Sequence, residues 1–207
     1  MSEDRVYRVR SADREVSPAF TLSQIGKVAH KRVVNGENYE RLNLVTTQLM
    51  CALSLEAVMN RVGYKLFIED ASEPAVWDAV ERLRPREKLV AIAERAGLQL
   101  DWGRLPLQDF DPIFAFRREL AHAKYMHLFT TAVPPEAVDD SNWVNGDAVP
   151  ALQASWERVC NVETAGRWRE SVYAISALIS EAAGCADPIR FGPTSGFSGG
   201  WELLDGG

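Results

Sequence analysis

Apolar residues recur at steps of three and four along the middle of the chain, a spacing that is typical of amphipathic helices. The pattern is firmest between Tyr39 and Phe67. The apolar positions there are Leu42, Val45, Leu49, Ala52, Leu53 and Met59. One face of a single long helix would carry them, so we expect this stretch to form the longest helix of the core.

Two shorter helices are predicted next. The stretch "SEPAVWDAVERLR" begins with Ser72, a residue type that caps helices, and places Trp77, Val80 and Leu83 on one face. The stretch "RPREKLVAIAERAG" has Pro85 at the first helical position and Gly97 just after the last one. Both stretches therefore read as short helices with their own start and stop signals.

Two further helical regions are predicted towards the C-terminus. Asp111 can cap a helix that has Pro112 at its first position, so we expect a helix from Pro112 to Phe129. A loop rich in proline and acidic residues follows, and a last helical region runs from Ala151 to Ala183. Its apolar side carries Val172, Ile175, Leu178 and Ile179.

The two ends of the chain have weaker patterns. Near the N-terminus, "RVYRVRS" alternates like a strand and "TLSQIGKVAHKRV" has a faint helical period. The last sixteen residues hold six of the fourteen glycines, a composition typical of a flexible tail. Phe197 and Trp201 leave open an arm that docks on a partner or on the chain itself. We therefore predict an all-α bundle of about five helices at 39–184, an N-terminal extension at 1–38 and a flexible tail at 185–207.

Composition narrows the classes of function. A length of 207 residues suits one domain, and a net charge of −6 argues against a broadly basic surface for duplex nucleic acid. The three cysteines lack a C-x-x-C spacing and no two of the three histidines are four residues apart, so neither metal nor cofactor is expected. No run of eighteen apolar residues occurs, which predicts a cytoplasmic protein without a membrane partner.

The stretch "FRRELAHAKY", residues 116–125, concentrates chemically active side chains on the predicted fourth helix. At ~100° per residue, Arg118 and His122 lie ~40° apart with Tyr125 between them, whereas Arg117 is ~140° from His122. The stripe formed by Arg118, His122 and Tyr125 is either a polar edge of the helix or a functional site. Placing arginines in an apolar helix costs several kcal/mol unless they are paired or line a cleft, by the usual penalty for buried charge.

The spacing Arg117-x-x-x-x-His122 resembles the hallmark R-x(4 to 6)-H motif of the HEPN superfamily. The resemblance covers roughly residues 40 to 180 and includes the long helix with "LSLEAVMN" and the hairpin "VWDAVERLRPREKLVAIAERAG". Two positions depart from the family pattern. Arg118 stands where the family commonly has asparagine, and Tyr125 follows the histidine by three residues, where some members have a tyrosine after two.

This resemblance implies metal-independent RNA cleavage in a cleft between two protomers, often in toxin–antitoxin or antiviral systems. It implies that Arg117 and His122 are catalytic, with Arg118 and Tyr125 in support. The residue types suit this reaction, since histidine transfers protons near neutral pH and the planar guanidinium of arginine can donate two parallel hydrogen bonds to a phosphate. A single copy supplies one such histidine, whereas a two-fold dimer supplies two, so a homodimer is expected.

Four further residues are candidates around this motif. Glu56 and Asn60 are four residues apart on the long helix, where they either face solvent, cap a crossing of two helices, or orient the arginines and the histidine. Lys124 and His127 either contact RNA phosphate or belong to a solvated helix face.

Three functions therefore remain open. The first is a HEPN-like endoribonuclease, acting as a toxin or in antiviral defence, with RNA as substrate and an antitoxin or other protein as partner. The second is a non-catalytic HEPN-like module that binds RNA or a partner protein, which the acidic charge and Arg118 favour. The third is a metal-dependent four-helix protein that uses Glu119-x-x-His122, although the sequence has no second E-x-x-H.

Overall fold

The computed structural model describes residues 7–14, 18–122, 154–190 and 197–203, and it is an all-α bundle, as predicted. The helices are α1 (Ala19–Val34), α2 (Glu40–Tyr64), α3 (Pro74–Glu81), α4 (Pro85–Arg95), α5 (Phe110–Ala121), α6 (Ser155–Arg158) and α7 (Val162–Ala182). A π-helical turn, Lys65–Glu69, continues α2, and a 3-10 turn, Leu107–Asp109, precedes α5. Two strands, β1 (Tyr7–Arg14) and β2 (Phe197–Leu203), pair with each other.

The long helix α2 is the centre of the bundle and contacts α1, α3, α4, α5 and α7. Most of the largest fully buried side chains come from α2, α4, α5 and α7, and include Leu55, Met59, Leu89, Ile113 and Trp168. By length and composition, the helical stretch Glu40–Glu69 could cross a membrane, but 61% of its most apolar window is buried inside the bundle. A core helix of a soluble protein passes the same test.

The buried face of α2 differs from the predicted one. Leu42 is 64% exposed, whereas the polar residues Asn43, Thr47 and Gln48 are buried. Thr47 donates to the carbonyl of Asn43 at 2.8 Å, and Gln48 donates to the carbonyl of Val159 at 2.7 Å. The hydroxyl of Thr47 and the amide nitrogen of Gln48 thus find acceptors, whereas Oε1 of Gln48 is buried without a hydrogen-bond partner among the described residues. These bonds offset part of the cost of burial, and the helix is rotated away from the face that apolar spacing alone predicts.

The helix α1 belongs to the bundle, so the predicted boundary between an extension at 1–38 and a bundle from 39 is wrong. Ala19, its first residue, is fully buried in the core. At Gly26, a Cβ atom would lie 3.0 Å from the Cβ of Met50 on α2. This glycine lets the two helices approach closely, and the bundle therefore begins at α1.

Local signals set the ends of α4 as predicted but not those of α3. Pro85 is the first residue of α4, and Gly97 follows the helix with a φ of +68°, which glycine adopts without strain. The residue before α3 is Glu73 rather than the predicted cap Ser72, which has a φ of +57°. Leu83 lies beyond the end of α3 and is 38% exposed, so it does not share the buried face of Trp77.

The helix that carries the motif begins earlier than predicted. It starts at Phe110, two residues before Pro112, and its described part ends at Ala121; the predicted continuation to Phe129 lies outside the described residues. Asp109, just before it, accepts hydrogen bonds from Ser171 at 2.7 Å and from Arg167 at 3.1 and 3.2 Å. These bonds fasten the start of α5 to α7.

The last helical region is interrupted, because α6 and α7 are separate helices within the predicted 151–183. Asn161 begins α7 by accepting a hydrogen bond from the backbone N–H of Thr164 at 2.8 Å. Of its predicted apolar side, Val172, Ile175 and Ile179 are buried. The side-chain cap thus defines a new helix start inside a stretch whose apolar period looks continuous.

The prediction of a flexible tail from residue 185 is wrong for two parts of that segment. Ile189 is 1% exposed, and Asp187 accepts a hydrogen bond from Ser176 of α7 at 2.6 Å. Further on, β2 pairs antiparallel with β1, with Tyr7 opposite Leu203 and a bulge near Val9. The faint strand pattern near the N-terminus therefore corresponds to a strand, and backbone pairing with β1 orders a glycine-rich stretch.

Candidate functional site

Arg117 turns towards the neighbouring helix α2. Its Nη2 atom lies 3.1 Å from Oε2 of Glu56 on α2, and the two side chains are 38% and 28% exposed. The structure thus brings Glu56 to the motif arginine, one of the two arrangements that the sequence left open. A partly exposed ion pair of this kind fixes the direction of the guanidinium and leaves part of it accessible to an anion.

Arg118 and His122 are both exposed at the C-terminal end of α5. His122 is the residue that caps the helix, and its backbone N–H donates to the carbonyl of Arg118 at 3.0 Å. The end of a helix carries partial negative charge, which favours cationic side chains there. Consecutive arginines therefore point to different surroundings: Arg117 to a carboxylate, and Arg118 to solvent beside the histidine.

The hydrogen bond that the structure gives to Asn60 comes from α4 rather than from a motif arginine. The Oδ1 atom of Asn60 accepts a hydrogen bond of 2.8 Å from Nζ of Lys88 on α4, and Lys88 is only 3% exposed. Burial lowers the pKa of Lys88, the carboxylates of Glu56 and Glu81 oppose that shift, and the charge of Arg117 adds to it. We call Glu56, Asn60, Lys88 and Arg117 the inner polar cluster; it joins α2, α4 and α5.

Lys88 is the member of this cluster that sequence reasoning missed. It precedes Ile92 by four residues, so the two share a face of α4, and Ile92 is fully buried. A lysine on the apolar face of a predicted helix was therefore the sequence signal that could have identified Lys88. Lysine is rarely buried without a partner, which makes such a position worth examining.

Glu119 contacts α6 rather than a metal-binding partner. Its Oε2 accepts a hydrogen bond of 2.6 Å from Oγ of Ser155. Within the described ranges, no three side chains of histidine, cysteine, aspartate or glutamate come together in a way that could hold a metal ion. The Glu119-x-x-His122 pair therefore has no further ligands in the part of the chain that the structure describes.

Three of the predicted residues cannot be placed. Tyr125, Lys124 and His127 all lie outside the described residues. The described part of the site consists of Arg117 paired with Glu56 and of exposed Arg118 and His122 at the end of α5.

Comparisons of the chain with protein-family models, with curated proteins and with solved structures find no match.

Proposed function

We propose that this protein is a HEPN-like, metal-independent endoribonuclease that cleaves RNA in a cleft between two copies of the chain. The observation that carries the proposal is the arrangement of the motif on α5. Arg117 is held by Glu56 across the contact between α5 and α2, while His122 and Arg118 are exposed at the end of the same helix. An oriented cation and an accessible imidazole on one helix are two of the groups that phosphate-ester cleavage can use, one to stabilise negative charge and one to transfer a proton.

The reaction is an internal transesterification. The 2′-oxygen attacks the adjacent phosphorus and the bond from phosphorus to the 5′-oxygen breaks, which leaves a 2′,3′-cyclic phosphate and a 5′-hydroxyl. One group accepts the proton of the 2′-hydroxyl, and another donates a proton to the leaving 5′-oxygen. His122 suits one of these roles, and Arg117 would stabilise negative charge on the phosphorane.

The second proton-transfer group would be His122 of a second copy. The described part of one chain contains only His30 as another imidazole, and His30 contacts Arg169 between α1 and α7. A two-fold dimer places the same patch of both copies at one interface, so two exposed histidines can share one cleft. Light scattering at micromolar concentration should give about twice 23.1 kDa. A monomer that does not change when RNA is added would contradict the shared cleft.

The setting that we propose is the cytoplasm, where the enzyme would act on RNA as a toxin or in antiviral defence under control of a partner protein. The second candidate function is a non-catalytic helical module that binds RNA or a protein. The exposed position of Arg118 favours it, because Arg118 puts a bulky cation beside His122 where the family pattern commonly has asparagine. The net charge of −6 also favours a local rather than an extensive contact with RNA.

Single-turnover cleavage of RNA in EDTA separates these two functions. We expect Arg117→Ala and His122→Ala each to lower the rate by about 10² or more, the usual cost of removing an electrostatic stabiliser or a positioned acid–base group. Arg118→Ala should cost less, and Arg118→Asn should be tolerated. Arg86→Ala is the matched control, because Arg86 pairs with Asp111 at the opposite end of α5.

The products and the fold of each variant complete this test. Products should end in a 2′,3′-cyclic phosphate, and circular dichroism should show the same helix content for all variants. If the wild-type protein binds RNA in EDTA without cleaving it, the non-catalytic function replaces the enzyme. If Arg118→Asn abolishes cleavage while Arg117→Ala is fully active, the motif has been aligned wrongly and Arg118 is the functional arginine.

A further inference from the structure

The helices α1 and α2 expose apolar side chains next to one another. Half of the large hydrophobic side chains that the described residues expose lie between Ile25 and Leu42. Ile25, Val28 and Leu42 are 44%, 52% and 64% exposed, and all three line a groove of about 560 Å³ between the two helices. We call this the α1–α2 groove. Exposed apolar patches with polar rims mark sites of interaction with other molecules.

The shape of the α1–α2 groove suits a helix. A connection of five residues, 35–39, joins α1 to α2, so the two helices run antiparallel and the groove follows their line of contact. The lining residues at its two ends on α1 are Phe20 and Arg32, twelve residues apart. That distance is ~18 Å along α1, or about three turns of a helix docked beside it. An amphipathic helix binds such a groove through apolar residues at steps of three and four.

Positive charge borders the α1–α2 groove on its α1 side. Lys27 and Lys31 are exposed, and each follows by three residues a side chain that lines the groove, so both stand at its edge. No acidic residue occurs in α1, and among the described residues no acidic side chain lines the groove. Arg32, at its end, has a carboxylate nearby, since Nε lies 3.8 Å from Oε2 of Glu37. The two lysines therefore give a locally basic rim to a chain whose net charge is −6.

This charge decides which occupant suits the groove. A two-fold dimer would bring the same patch of both copies together, so the lysines of one copy would face those of the other and repel them. RNA would meet the lysines with phosphate but offers no aliphatic ridge to fill an apolar groove, and a membrane surface is too flat to enter one. A helix with carboxylates beside an apolar face satisfies both the groove and its rim.

We propose that the α1–α2 groove binds an amphipathic helix of a partner protein, whose apolar face fills the groove and whose flanking carboxylates pair with Lys27 and Lys31. No described residue of the motif on α5 lines the groove. The proposal therefore stands apart from the ribonuclease function, and its test does not require cleavage to be measured.

The probe is a labelled synthetic peptide, whose binding to the full-length protein is measured by fluorescence anisotropy. It has leucines at steps of three and four on one face and glutamates beside them, and a matched peptide has lysines in place of the glutamates. The glutamate peptide should bind the wild-type protein about 10-fold or more tightly than the lysine peptide, because complementary charge selects between partners that share one apolar face. The double substitution Lys27→Glu and Lys31→Glu should reverse this preference.

Substitutions in the groove locate the contact. Val28→Asp should weaken binding of the glutamate peptide by about 10-fold or more, because a carboxylate would be buried against apolar side chains. Val76→Asp is the matched control: Val76 is 44% exposed on α3, outside the groove, and the same change there should leave binding unaltered. His122→Ala should also bind the peptide as the wild-type protein does, which separates this surface from the motif on α5. Circular dichroism should show the same helix content for all variants.

The remaining outcomes would overturn the proposal. Equal affinity for the two peptides, binding of neither, or binding that Val28→Asp leaves unchanged would mean that the groove and its charges do not recognise an acidic helix. A wild-type dimer that Val28→Asp converts to a monomer would make a second copy the occupant. Labelled RNA, or vesicles that contain phosphatidylserine, could bind the wild-type protein and Val28→Asp but not the double lysine variant. That result would assign the lysines to phosphate groups instead.

Discussion

Replacement of Asp109 by alanine should destabilise the protein far more than the same change two residues later. The side chain of Asp109 is 6% exposed and accepts hydrogen bonds from Ser171 at 2.7 Å and from Arg167 at 3.1 and 3.2 Å. Asp111 pairs with Arg86 instead, and those side chains are 53% and 50% exposed. Both positions thus pair an aspartate with an arginine at the start of α5, but in different surroundings.

The expected cost follows from that difference. Loss of a buried hydrogen bond to a charged group costs about 1.5–3 kcal/mol, and it leaves the hydroxyl of Ser171 without its acceptor. Arg167 is 46% exposed, so water can solvate it and its share is about 1 kcal/mol or less. Asp109→Ala should therefore lower the free energy of unfolding by about 2–4 kcal/mol. Asp111→Ala should lower it by about 1 kcal/mol or less.

Urea unfolding followed by circular dichroism measures both values at neutral pH. Asp109→Asn adds a third point, because an amide oxygen can still accept from Ser171 while the charge is lost, so its cost should fall between the other two. Equal midpoints for Asp109→Ala and Asp111→Ala would refute the reasoning, since burial would then make no difference to an aspartate in this position.

Three further predictions concern the helix contacts and the core. Burial and the guanidinium of Arg169, which lies 3.0 Å from Nδ1 of His30, lower the pKa of His30. The folded state therefore binds the imidazole proton of His30 less tightly than the unfolded state does. The free energy of unfolding should be greatest above a pH of about 6.5 and should decline as the pH falls through the pKa of His30 in the folded state. Urea unfolding at about pH 8 and about pH 5 should show a smaller decline for His30→Gln than for the wild-type protein. Gly63→Ala would force a methyl group into the ring of Trp77 and should cost about 1–3 kcal/mol, seen as a lower Tm; an unchanged Tm would show that the ring can move aside. Burial raises the pKa of Cys51 to about 12, so alkylation should modify this thiol in urea and spare it in the native protein.

Local sequence signals determined where several elements begin and end. Pro85 marks the start of α4 because its ring fixes a helical φ, and Gly97 marks the end because it adopts a left-handed φ without strain. Both signals depend only on the backbone of the residue itself. The all-α class followed from apolar spacing in the same way. The stripe of Arg118, His122 and Tyr125 stays a prediction, because His122 lies just beyond the last helical residue, with a φ of −110°, and Tyr125 lies outside the described residues.

The tertiary structure decided which groups meet across helices. The pairing of Arg117 with Glu56 joins residues 61 positions apart, and it was one of two arrangements compatible with the sequence. The burial of Lys88 and the polar face of α2 were not predicted, because a side chain such as Gln48 is acceptable in a core only when a partner like the carbonyl of Val159 is in reach. Apolar spacing shows only which side of a helix is itself hydrophobic. A polar side chain can be buried where other helices supply its hydrogen-bond partners, and those partners are in place only after the helices have packed.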